Sequence, residues 1–202
     1  MQLILGSYSP YRKALLEKLG FKAPPEFTKE EGASYKLALL GFHRDASSLL
    51  YNLTKNDPEL TNQTLVIDFN VALHEGIRQT GATVKYGDLA NQETLHHLGL
   101  NQCEVIVCTI PDDLLRGIDN AALVHVVREM APNATIISNA IATDAIHGVY
   151  QAGADYVYLN RFEAAWTLQR AIQAGLEKNI ESFRVKRQSR NHYKPDRKEI
   201  LS

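Results

Sequence analysis

Between Lys36 and Lys178 the chain repeats one unit: a short β-branched or aliphatic run, a turn, then a segment whose apolar residues recur at helical spacing. The apolar runs are residues 36–40, 64–68, 82–86, 104–110, 134–138 and 154–159. The helical segments between and after them are 45–55, 71–80, 92–98, 113–131, 142–152 and 162–178. Strands separated by one helix each are joined by the long crossover that parallel pairing requires. Several of the runs are apolar at almost every position, as strands buried on both faces are. The pattern therefore predicts a doubly wound α/β domain, with helices on both faces of a parallel sheet.

Local chemistry agrees with this division. Gly81, Gly99 and Gly153 each follow a helical run, where a left-handed residue closes the helix, and Asp112 or Asp113 is placed to cap the long segment after Pro111. The 202 residues fit one domain with appendages. Residues 1–35 read as a short basic amphipathic helix and a Pro-containing linker, 36–178 as the α/β unit, and 179–202 as a basic, flexible tail with no periodicity after Arg184. With 22 Lys and Arg against 23 Asp and Glu there is no overall basic field to recruit nucleic acid, so none is expected as a partner. The excess is local, seven Lys or Arg against two acids between Phe183 and Ser202. Two cysteines, Cys103 and Cys108, are too few for a disulfide framework, and a reducing compartment is expected.

In a doubly wound sheet, ligands bind beyond the carboxyl ends of the strands where the strand order reverses, so the first strand-to-helix turn is the place to look. Here it reads Gly41-Phe42-His43-Arg44-Asp45-Ala46, a degenerate G-x-G-x-x-G. Gly41 fills the tight-turn position and Ala46 the small helix-packing position. His43 stands where a middle glycine would let backbone approach a pyrophosphate, so its side chain either crowds phosphates or contacts them. Amides from Arg44 to Ser47 favour an anion in either case, with the Arg44 charge beside them. The competing reading is a plain strand-to-helix turn. Asp68, at the end of the second run before Phe69 and Asn70, stands where an acid accepts ribose hydroxyls of NAD or another adenosine ligand; otherwise it caps the helix at Val71. Gly87-Asp88-Leu89 closes the third run and Thr109-Ile110-Pro111 the fourth, bordering adenine and phosphates respectively. Arg116 is within the long helical segment, near enough to reach a phosphate or a partner subunit.

Taken in order, Gly41-Phe42-His43-Arg44-Asp45-Ala46-Ser47, Val66-Ile67-Asp68-Phe69-Asn70, Val84-Lys85-Tyr86-Gly87-Asp88, Thr94-Leu95, Val105 to Asp112 and Ala152-Gly153-Ala154-Asp155-Tyr156-Val157 resemble the N-terminal RCK, or TrkA-N, domain. The likeness is to the copies in the cytosolic regulatory region of Kef-type monovalent cation:proton antiporters, and it covers residues 36 to 178. It implies a Rossmann-like, non-catalytic switch that binds NAD(H), AMP, ATP or a related nucleotide through Gly41, Asp68 and Asp88. It also implies a homodimer, with the helix at 162–178 crossing to the partner, attached to or beside a membrane cation transporter at the cytoplasmic face of the cell membrane. Residues 1–21 would then be the exit of a membrane helix and a basic juxtamembrane stretch. A second resemblance, of residues 3–20 to the opening of Maf-type nucleotide pyrophosphatases, extends no further along the chain.

A small NAD(P)-dependent oxidoreductase and a ligand-free dimerisation module are the other classes such a chain can serve. Tyr51 and Lys55 have the Tyr-x-x-x-Lys spacing of a proton-transfer pair, but they lie on the first helix, facing away from the nicotinamide end. His96 and His97 project about 100° apart on a helix and cannot share a metal. Almost every residue is used by the nucleotide fold, leaving none for a substrate domain. The apolar residues Trp166, Leu168, Ala171, Ile172 and Leu176 read as a core stripe, or as a dimer face if the sheet cannot cover them.

Overall fold

A computed structural model describes residues 35–115, 117–190 and 197–201. The expectations for residues 1–21 and for the Maf-like opening fall outside the described residues. Six parallel strands, β1 (Leu37–Leu40), β2 (Thr64–Asp68), β3 (Thr83–Tyr86), β4 (Val105–Cys108), β5 (Thr135–Asn139) and β6 (Tyr156–Tyr158), form one sheet in the order β3-β2-β1-β4-β5-β6. The helices are α1 (Arg44–Asn56), α2 (Pro58–Asn62), α3 (Val71–Arg78), α4 (Gln92–His96), α5 (Asn120–Met130), α6 (Ala145–Gln151), α7 (Asn160–Leu176) and α8 (Ile180–Arg190). The order reverses between β1 and β4, which places the switch point directly beyond Leu40.

Side-chain alternation along the strands builds two cores. Ala38, Leu40, Leu65, Ile67, Ile106 and Ile136 pack with Leu123, Val127 and Val149 of α5 and α6 on one face. Leu37, Leu39, Val66 and Val107 pack with Ala46, Leu50 and Ile77 of α1 and α3 on the other. Cys103 and Cys108 are free and buried, and burial pushes their thiols up to about 11 and about 12, so neither is a nucleophile at neutral pH.

Three expectations change. The segment 113–131 is not one helix: a 3-10 turn at Asp112–Leu114 is followed by Gly117 at φ +77°, and α5 begins only at Asn120. Asp119, not Asp112 or Asp113, caps it by accepting from the Ala122 amide, while Asp112 accepts from the Asn120 amide. Residues 56–63, to which the pattern assigns no element, contain a helix, α2, with Pro58 at its start and Asp57 accepting from Leu60 N–H. Beyond Arg184, where the sequence shows no periodicity, the structure has the helix α8. The predicted closures at Gly81, Gly99 and Gly153 have φ of +97°, +85° and +111°.

Arg128 is the main polar clamp between α5 and the β5–β6 side. Its guanidinium donates to the carbonyls of Gly153, Pro132 and Ala134 and to Asp155 Oδ2. Asp155 also accepts from the Ile136 amide at 2.7 Å, and this bond, more than Arg128, holds its carboxyl below the usual range. Arg128→Ala is expected to cost about 2–3 kcal/mol through the orphaned carbonyls. Urea melts of the two chains check it; a loss under about 0.5 kcal/mol would show the clamp to be dispensable.

Candidate functional site

The loop after β1 is shaped by its neighbours. Gly41 has φ +78°, and a Cβ on it would lie 2.0 Å from Ile110 Cγ1, so the glycine admits close packing of the β4 end. Its N–H donates to Ile67 O, and Thr109 Oγ1 donates to its carbonyl at 2.7 Å. Asp68 reaches across from β2: Oδ2 accepts from the Phe42 amide at 2.6 Å and Oδ1 from the Asn70 amide at 2.7 Å. It is 3% exposed. Burial raises its carboxyl above the ordinary value of 3.8, against the pull of the Asn70 and Phe42 amides and of the neighbouring His74 and His43 rings.

Asp68 therefore does not cap α3. Asn70 does, accepting from the Ala72 amide. Nor did the sequence show what lies beneath: His74 is 1% exposed, with Nε2 3.1 Å from the Asp68 carbonyl. His74 pins the strand end that carries the acid, and only its helical spacing from Val71 and Ile77 would have placed it inward. A second unforeseen pair, Asn120 and Asn139, joins the ends of β4 and β5: Asn120 Nδ2 donates to Asn139 Oδ1 and Ile110 O, and Asn139 Nδ2 to Thr109 O.

The predicted residues divide by exposure. Phe42, Ala46, Leu89, Thr109 and Ile110 have buried side chains, so only their backbone can meet a ligand. Gly87 is buried too, and a Cβ there would lie 2.5 Å from Ile67 Cγ2. Arg44, Phe69, Asn70 and Asp88 are exposed, and His43, Asp45 and Pro111 half-buried. Asp88 turns one carboxyl oxygen to the Ala90 amide. Arg116 lies outside the described residues.

His43 is the N-cap of α1 but offers no side-chain acceptor to the first-turn amides, which leaves them for an anion. Asp45 in the same turn adds a negative charge and accepts from Asn160 Nδ2 at 2.7 Å, tying the loop to the first residue of α7. That charge, second to burial, raises the Tyr158 hydroxyl above its usual value. Tyr51 and Lys55 are spent elsewhere: the ammonium lies 5.6 Å from the ring centroid, and Arg197 stacks on the same ring. His96 and His97 are exposed, and among the described residues no three His, Cys, Asp or Glu side chains could hold a metal. No described helix is long and apolar enough to cross a membrane.

This combination of strand order, Gly41 turn and β2-terminal acid coincides with a profile of the TrkA-N domain, which matches residues 37–160. The chain belongs to the TrkA-N domain family. It is 30% identical over 112 residues to the glutathione-regulated potassium-efflux system protein KefC of Enterobacter sp. (strain 638), covering 55% of this chain and 17% of that protein. The chain thus spans about a sixth of that relative's length. Among solved structures it is similar to the TrkA-N domain of the inner membrane protein ybaL from Escherichia coli, with TM-score 0.59, 24% identity, 69% of this chain and 97% of that one. It is also similar to the GsuK channel bound to NAD, with TM-score 0.52, 19% identity, 73% of this chain and 25% of that one. A third likeness is to the NAD(P)-binding domain of an exopolyphosphatase-related protein from Archaeoglobus fulgidus, at 0.54, 18%, 71% and 98%. At these identities the structures show a shared fold.

Proposed function

We propose that this chain is a cytosolic, non-catalytic regulatory domain that senses an adenine nucleotide and controls a monovalent cation transporter, as a homodimer. The supporting observation is Asp68, held at the switch-point edge against the Gly41 loop, beside first-turn amides that lack a side-chain cap. A carboxylate offers about four acceptor sites, so the two amide bonds leave capacity for a ribose hydroxyl. Arg44 and the α1 amides would hold a phosphate. A dinucleotide fits less well, because the His43 side chain occupies the close-approach position and Asp45 repels a second phosphate. The KefC likeness supplies the transporter class, and the GsuK structures, one bound to NAD and one to ADP, supply the ligand class.

Signal would pass from the loop through the Asp45–Asn160 bond to α7. None of the residues of α7 is buried, and Phe162, Trp166, Leu168, Ile172 and Leu176 are 46–76% exposed. Of the stripe read at Trp166, Leu168, Ala171, Ile172 and Leu176, no residue is buried, so the core reading is corrected, and an uncovered apolar face of this kind supports the alternative, a partner surface. Ligand that favours one placement of α7 shifts the dimer between arrangements, and so the gate. The same exposed face favours a second reading, a dimerisation module with no ligand.

Asp68→Asn keeps one acceptor oxygen for the loop but removes the charge. It is expected to weaken AMP by about 1.5–3 kcal/mol, the scale of a charge-assisted hydrogen bond; unchanged affinity by calorimetry would take Asp68 out of the site. His43→Gly, which opens the backbone approach, is expected to strengthen NADH by ~1.4 kcal/mol or more, about tenfold, and to leave AMP nearly unchanged. Equal effects on both ligands would show that His43 does not select against a pyrophosphate.

A further inference from the structure

Residues 197–201 carry a feature that the ligand edge does not use. They lie against α1 and α3, on the face of the sheet opposite α5 and α6, with Ile200 and Leu201 packed against the core that contains Leu50 and Ile77. The Leu201 amide donates to Ser47 Oγ at 2.9 Å, and Ser48 Oγ donates to Glu199 Oε2 at 2.6 Å. Arg197 donates to Asn52 Oδ1, sits 4.3 Å from the Tyr51 ring centroid, and pairs with Glu199. Both side chains of that ion pair are about 15% exposed, so the pair is made in a largely dry place. Such a pair is favourable only when its remaining donors and acceptors are met, and here Asn52 and Ser48 meet them.

The groove is built for this occupant. Gly76 lies within α3 without a positive φ, so its backbone does not require glycine. A Cβ there would already stand in van der Waals contact with Ile200, 3.4 Å from its Cγ2, so a side chain as large as leucine would compete with Ile200 for the same space. The segment joins no strand of the sheet. Among the contacts described it is held by side chains and by the Leu201 amide, a type of attachment that opens locally without unfolding the domain.

Its grip is on the helix that begins at the ligand loop. Ser47 is 1% exposed and its own amide donates to the carbonyl of His43 at 2.9 Å. One residue thus joins the strap to the first turn of α1.

We propose that the α1–α3 groove is a peptide-docking site occupied by this chain's own residues 197–201, and that seating of this strap is coupled through Ser47 and Ser48 to the ligand loop. The coupling rests on the nucleotide-sensing reading above; the seating does not. By linkage, whatever ligand does to the strap the strap does to ligand affinity.

Two variants of the 202-residue chain test it, Ile200→Asp, which spoils the strap, and Gly76→Leu, which fills its seat. Hydrogen exchange is read with and without AMP, and AMP affinity by calorimetry. Both variants should raise exchange of the α1 amides tenfold or more while β1, β2 and β4 stay protected, and should weaken AMP at least threefold. In the unaltered chain, AMP should slow exchange of the Leu201 amide. Unchanged α1 exchange in both variants would overturn the seating. Raised exchange with unaltered AMP affinity would overturn the coupling alone. An unaltered chain that binds no AMP or other adenine nucleotide would defeat the functional reading and the coupling together, while the exchange data still decide the seating.

Discussion

Gly41→Ala is expected to lower stability by about 3 kcal/mol or more. A left-handed conformation costs a residue with a Cβ about 1–2 kcal/mol, and overpacking adds about 1–3 kcal/mol. Both apply here, since φ is +78° and the new methyl would fall 2.0 Å from Ile110 Cγ1. Thermal and urea denaturation measure the loss, and pairing the change with Ile110→Ala isolates its cause. The double variant should be less destabilised than the sum of the two single variants, by about the overpacking share of 1–3 kcal/mol. Strict additivity would mean that the methyl never meets Ile110 and that backbone strain alone is responsible.

The other large effect is on assembly. At 100° per residue, Phe162, Trp166, Ile172 and Leu176 fall within about 120° of the surface of α7, a sector shared with Gln169 and Gln173 in which none of the four is covered by the sheet. Trp166→Asp combined with Leu176→Asp places two charges on it. Each anchor of an interface of this kind is worth ~2 kcal/mol or more, so the proposed dimer should dissociate about a thousandfold more readily. The fold itself should be spared, because neither residue is buried in the chain and surface changes usually stay within about 0.5 kcal/mol. Sedimentation or light scattering across a concentration series reads the first effect, and a urea melt of the monomer the second. A dimer that persists in the double variant would place the interface elsewhere.

Both predictions show how unevenly the sequence displays this molecule. The sheet was legible because its strands are apolar on both faces: the run at 64–68 coincides with β2 at both ends, and the glycine stops fall where the helices close. The long segment 113–131 was misleading because helical spacing continues through Ile118 and Ala121, whereas the chain breaks there through extended backbone at Leu115 and Asp119 and a positive φ at Gly117. The candidate site was legible in its position, since the Gly41 turn and Asp68 follow from strand order. Its internal wiring was not. That Asp68 clamps Phe42, that His74 supports it from below, and that Asp45 reaches Asn160 across 115 residues are contacts of tertiary origin, with no local periodicity to announce them. The exposed face of α7 fails for a related reason. A helical stripe looks the same in sequence whether its cover is the sheet or another chain.

Isothermal titration of the purified chain with AMP, ADP, ATP, NAD and NADH tests the proposal of nucleotide sensing most directly. The arrangement at Asp68, His43 and the α1 amides predicts saturable binding of an adenine mononucleotide, with NAD and NADH weaker. Absence of heat or protection with all five would contradict it, and would leave the α7 face, and dimerisation without a ligand, as the function of the domain.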